Sequence, residues 1–123
     1  MNNKLKIFNI KDKLEYLEEV INLEHYEWAQ FPEQNNKERI KNKINKIMKK
    51  LHSINFCKLI LLKENQLVGF ISLFESDGKE HKELTPWYAT MYVKEEYRGN
   101  GYSKILNNAI LEESKKKVLK GYL

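Results

Sequence analysis

The chain has 123 residues, 41% hydrophobic and 32% charged, and a net charge of +5 from 22 basic and 17 acidic side chains. That length suits one domain with its own core, and that balance argues against wholesale disorder. The longest apolar runs, such as residues 59–62, are far too short to cross a bilayer, and the opening residues MNNKL lack a signal peptide's apolar segment.

In chain order, residues 5–10 read as a short strand. Asp12, with Glu15 three residues on, marks a helix start related to the capping box. Leu14, Leu17, Val20, Ile21 and Trp28 recur at helical spacing, which predicts a helix to about Gln30. Phe31-Pro32 ends it, because the residue before proline avoids helical angles. A second helix should begin at Asn35 or Asn36, with Ile40, Ile44, Ile47, Met48 and Leu51 on one face. Core packing explains such a stripe more often than a membrane or partner surface does.

The period then shortens. Residues 58–63 and Gln66–Glu75 are dense in Leu, Ile, Val and Phe around Glu64-Asn65, which reads as a hairpin. Gly69 inside the second strand marks a bulge or a close backbone approach. A polar loop over residues 76–85 follows, and Pro86 can open the next strand, Trp87–Val93. Tyr102, Ile105, Leu106, Ala109 and Ile110 then form a helical stripe, and residues 118–123 look like the opening of another strand. The fold class expected is α+β: a mixed, mostly antiparallel sheet flanked by helices, with the last strand as a parallel neighbour.

Between the third long strand and the last helix lies Val93-Lys94-Glu95-Glu96-Tyr97-Arg98-Gly99-Asn100-Gly101-Tyr102-Ser103. The first N–H groups of a helix have no partner inside it and, with the helix dipole, form an anion site. Gly99 and Gly101 let the backbone approach a phosphate, Ser103 is small and can add a hydroxyl donor, and Arg98 brings a permanent positive charge. A third dinucleotide-turn glycine and a Gly-Lys-Ser/Thr P-loop are both lacking.

This segment resembles the acyl-CoA motif of the GNAT superfamily of N-acetyltransferases, Arg/Gln-x-x-Gly-x-Gly/Ala after a strand ending in Val. Arg98, Gly101 and Ser103 stand at its defining positions, Ser replacing the usual Gly or Ala. Thr85-Pro86-Trp87 and Met91-Tyr92-Val93 also look like the family's approach to that motif. The order of elements matches the family across nearly the whole chain, while the specific part is about twenty residues.

The resemblance implies that acetyl-CoA is the cosubstrate and a primary amine the acceptor. The pyrophosphate would sit on the backbone amides of Arg98, Gly99, Asn100, Gly101, Tyr102 and Ser103. The pantetheine arm would pair with Met91, Tyr92 and Val93, and the amide of Tyr92 or Val93 would serve the oxyanion. The tyrosine that many members use as acid would lie beyond Leu123, and Tyr122 does not match it. A C-terminally short family domain would leave a sheet edge exposed, so a dimer or larger assembly is expected.

For the base the sequence offers only Glu75, acting through water, against its ordinary reading as a solvated carboxylate. His25, His52 and His81 have no metal-ligand spacing, so no metal is expected. His81, Trp28 and Trp87 read first as surface and packing residues. Lone Cys57 reads as a buried apolar residue, and its inability to form an internal disulfide suits a cytoplasmic protein. The basic excess fits an anionic partner, but Lys115-Lys116-Lys117 reads first as a solvated helix end. Two other readings stay open: a non-catalytic coenzyme-binding fragment, and a small nucleic-acid-binding protein. The second lacks helix-turn-helix spacing and aromatic RNA-binding motifs.

Overall fold

The computed structural model describes residues 4–28, 36–52, 56–75 and 87–119. Four strands, β1 (Leu5–Asn9), β2 (Phe56–Lys63), β3 (Gln66–Glu75) and β4 (Trp87–Val93), form one sheet in that order. All three pairings are antiparallel. Helices α1 (Leu17–Trp28) and α2 (Asn36–Lys50) pack on one face and α3 (Tyr102–Leu119) on the other.

The central strands are apolar on both sides because both sides are covered. Ile60, Leu62 and Phe70 pack with Val20, Ile21, Ile40 and Leu51 beneath α1 and α2. Leu59, Leu61, Ile71 and Leu73 pack with Tyr102, Leu106 and Ile110 of α3. Successive strand residues point to opposite faces, which divides one run of sequence between two cores. Glu64 and Asn65, both at positive φ (51° and 68°), form the two-residue hairpin turn that suits strand twist. The register shifts between Leu61 and Leu62, opposite Gly69 and Leu67, so Val68 is the extra, bulged residue. The bulge resets the alternation and sends Val68 into the α3-side core.

Three expectations are corrected. The first helix does not start at Asp12: Asn9 takes the capping role, its Oδ1 accepting from Lys11 N at 3.0 Å. Two single 3-10 turns, Ile10–Asp12 and Leu14–Tyr16, precede α1, broken at Lys13 (φ −141°, ψ 55°), so Leu14 is left exposed. The α2 stripe is narrower than expected, with Ile40 and Leu51 buried but Met48 exposed. Val118 and Leu119 continue α3 instead of opening a strand. The rest of that segment, and the parallel neighbour expected of it, lie outside the described residues.

Candidate functional site

β4 leads through a 3-10 turn (Glu95–Tyr97) into the bend at residues 98–101 and then α3. Tyr97 N donates to Lys94 O at 2.9 Å and Arg98 N to Glu95 O at 3.2 Å. The Arg98 amide is therefore engaged within the protein, and the donors left for a ligand begin one residue later. At ordinary hydrogen-bond geometry, no backbone carbonyl among the described residues takes the amides of Gly99, Asn100 or Gly101. The amides of Tyr102, Ser103 and Lys104 open α3 and have no acceptor inside it.

Gly99 (φ 86°) and Gly101 (φ 80°) both hold left-handed angles, and the space where a Cβ would stand is open at each. Asn100 Nδ2 ties the bend down by donating to Tyr97 O at 3.0 Å. Arg98 Nε donates to Val93 O at 2.8 Å, and its guanidinium carbon lies 5.6 Å from the Tyr92 ring centre. Arg98 is otherwise exposed, so part of its charge faces solvent. Val93, Tyr97, Arg98, Gly99, Gly101 and Ser103 bound a hollow of about 80 Å³. Amide donors, a helix N-terminus and a fixed cation around one hollow suit an anionic oxygen cluster such as a diphosphate.

Among the described residues β4 pairs only with β3, and none of them pairs with its other edge. Two bonds give the ladder's phase: Lys94 N donates to Val68 O at 2.9 Å, and Val93 O accepts from Arg98 on the outer side. Because donors and acceptors alternate in direction along an antiparallel strand, Tyr92 turns its backbone groups toward β3. Met91 and Val93 present theirs at the other edge. The position of Tyr92 O agrees, since it lies 2.5 Å from where a Cβ on Gly69 would stand. Of the two amides expected at the oxyanion, Val93's faces outward and Tyr92's does not.

Side chains alternate as well. Val93 joins the α3-side core, whereas Tyr92 stacks on Phe70 at 5.5 Å beneath α1. Tyr92 also lines a second hollow of about 210 Å³, together with Glu19, Asn22, Leu23, Tyr26 and Glu27 of α1. β4 thus runs between a donor-rich hollow on one side and an acidic, aromatic hollow on the other.

Glu75 ends β3 opposite Trp87, five register positions from the Phe70–Tyr92 pair, or about 17 Å along the strand. Its carboxylate, the indoles of Trp28 and Trp87, and all of His81 and Tyr122 lie outside the described residues. Cys57 is buried, as expected. His25 is buried too, and its Nδ1 accepts from Lys43 Nζ at 3.2 Å, because an ammonium can only donate. His52 is exposed just after α2.

Sequence reading passed over Lys58. It is 2% exposed, bonds Glu24 Oε2 at 3.1 Å and donates to Ser72 Oγ. Burial pushes its pKa down, opposed by the charge of Glu24 and its hydrogen bond. A lysine inside an apolar strand run was the available signal. What it pairs with required α1 to be placed over β2.

The profile of the Acetyltransferase (GNAT) family matches residues 20–123, most of the chain. The chain belongs to the GNAT acetyltransferase family. Solved structures agree on the fold. A candidate GNAT acetyltransferase of Staphylococcus aureus superposes with a TM-score of 0.71 at 23% identity, covering 91% of each chain. An acetyltransferase predicted for Clostridium acetobutylicum, solved with acetyl-CoA, gives 0.69 at 19% identity, covering 93% of this chain and 74% of that one. An aminoglycoside acetyltransferase from a soil metagenome, in complex with sisomicin, gives 0.59 at 18% identity, covering 93% and 70%. No curated protein matches the chain. In this GNAT chain no described helix is long and apolar enough to cross a membrane. Among the described residues no three His, Cys, Asp or Glu side chains cluster as metal ligands.

Proposed function

We propose that this chain transfers an acetyl group from acetyl-CoA to a primary amine. The observation that carries the reading is the bend at residues 98–101, whose outward amides and two left-handed glycines stand where the outer edge of β4 meets a helix N-terminus. The coenzyme's diphosphate would lie on the amides of Gly99, Asn100, Gly101, Tyr102 and Ser103, with Arg98 contributing its guanidinium. The pantetheine arm would add to β4 at Met91 and Val93, alongside Tyr92, as an extra strand does.

The amine nitrogen attacks the thioester carbonyl, and the carbon–sulfur bond breaks as the tetrahedral oxyanion collapses. The outward amide of Val93, or of Met91, would hold that oxyanion. The nitrogen must lose a proton and the sulfur gain one. A free thiol has a pKa of about 8.5, so thiolate leaves tolerably without a dedicated acid. Glu75 is proposed as base through water, and its distance along the strand calls for more than one.

Calorimetry with acetyl-CoA, followed by thiol release across an amine panel, tests the reading. Gly101→Glu should abolish binding, because it sets bulk and negative charge where the diphosphate is proposed to lie. Unchanged affinity in a folded variant would remove the site. Binding without thiol release from any amine would leave the non-catalytic alternative. Association of two copies belongs to the same proposal, and a stable monomer in light scattering would remove it.

A further inference from the structure

The hollow on the α1 side of β4 carries a polarity that the transfer reaction does not by itself require. Helix α1 bears Glu18, Glu19, Glu24 and Glu27 and no lysine or arginine, in a chain whose net charge is +5. Three of those carboxylates have basic company. Glu24 pairs with Lys58 and Glu19 with Lys94, and Glu18 shares the groove between α1 and α2 with Lys37 and Lys41. Glu27 lines the hollow and makes no ion pair among the described residues. Beside it stands Tyr26, more than half exposed, whose ring can attract a cation.

Tyr92 is the residue through which the hollow reaches β4. Tyr92 carries the Arg98 guanidinium 5.6 Å from its ring centre, and Phe70 stacks on the ring at 5.5 Å. Glu19, the hollow's other carboxylate, is paired with Lys94, so the negative charge left to hold a cation is that of Glu27. The hollow therefore attracts a cation at Glu27, while its Tyr92 wall belongs to the strand proposed to carry the thioester.

Resting on the acetyl-transfer reading above, we propose that this hollow selects an acceptor with two amino groups: an aliphatic diamine or polyamine. One nitrogen, neutral, sits by Tyr92 and attacks the thioester, while the other, an ammonium, is held by Glu27 and Tyr26. The nucleophile's proton leaves to solvent or base, and the second nitrogen keeps its own throughout.

Three acceptors of similar length test the proposal: cadaverine, pentylamine and aminovaleric acid, with thiol release as the readout. Cadaverine should exceed pentylamine in kcat/KM by roughly tenfold, with aminovaleric acid the poorest. Glu27→Gln should bring the cadaverine-to-pentylamine ratio toward one, and Glu27→Lys should shift preference toward aminovaleric acid. Glu112→Gln, on the far helix α3, should leave the ratio alone.

Equal turnover of cadaverine and pentylamine, or a ratio untouched by Glu27→Gln, overturns the acceptor class while acetyl transfer stands. If no amine releases thiol, the transfer reading falls instead. The hollow is then judged by titrating cadaverine into the protein saturated with coenzyme A. Amide shifts confined to α1 and Tyr92 support the diamine site, and their absence overturns it.

Discussion

At the scale of single residues, glycine decides how close the strands come. A Cβ on Gly69 would stand 2.5 Å from Tyr92 O and 3.1 Å from Val93 Cα, both backbone atoms that cannot swing aside. Gly69→Ala must therefore push β4 away from β3. We expect a loss of about 1–3 kcal/mol in urea unfolding, together with weaker coenzyme binding at the displaced edge. A variant as stable as the parent would show that the approach relaxes without cost. Gly99 and Gly101 differ, because open space surrounds them and only their positive φ objects to a side chain. Alanine at either should cost about 1 kcal/mol and leave the fold intact. The special standing of all three was legible in sequence, as a glycine inside a strand and two before a helix. Which glycine faces a backbone and which faces solvent was not.

Between elements, the Lys58–Glu24 pair joins β2 to α1, the helix that lines the proposed acceptor hollow. Removing one partner of an ion pair costs most when the charge left behind is the buried one. Glu24→Ala strands the buried Lys58 and should lose about 3 kcal/mol, whereas Lys58→Met leaves only the partly exposed Glu24, which water can reach, and should stay within about 1 kcal/mol of the parent. The pair also makes stability depend on pH in a definite direction. Burial holds the folded pKa of Lys58 below its usual 10.5, so between the two values the unfolded chain binds more protons than the folded one. The Lys58 contribution is greatest above pH 10.5, falls as pH drops through that window, and levels off below the folded pKa. The parent should therefore lose stability relative to Lys58→Met as the pH is lowered from 10.5, and denaturant unfolding of both proteins would read the difference. A flat difference would mean that the buried amine keeps its ordinary affinity for protons. None of this could be inferred from β2 or α1 alone, since the partners are 34 residues apart.

For the molecule as a whole, the proposed coenzyme bridges β4, the bend and α3. A ligand that binds only the folded state adds stability by mass action, about 2.7 kcal/mol at a hundredfold excess over Kd. Coenzyme A should raise Tm accordingly in the parent and leave Gly101→Glu unshifted. Affinity should also fall as salt rises, because Arg98 is exposed and the chain's excess charge is positive. A salt-independent affinity would argue that the anionic part of the coenzyme lies elsewhere.

Local chemistry reached far in this chain. Helical and strand periods, the Glu64-Asn65 turn and the glycine bend are written in residues a few positions apart, so they determined the elements and pointed to the proposed anion site. It failed first where two local signals competed, at Asp12, and Asn9 prevailed as the cap. Only tertiary structure could decide which amides of β4 face outward, because that depends on the register with β3. It likewise set Glu27 and Tyr26 across from Tyr92, and Lys58 beneath Glu24. Such meetings depend on how sheet and helices are stacked, and no short stretch of sequence encodes that.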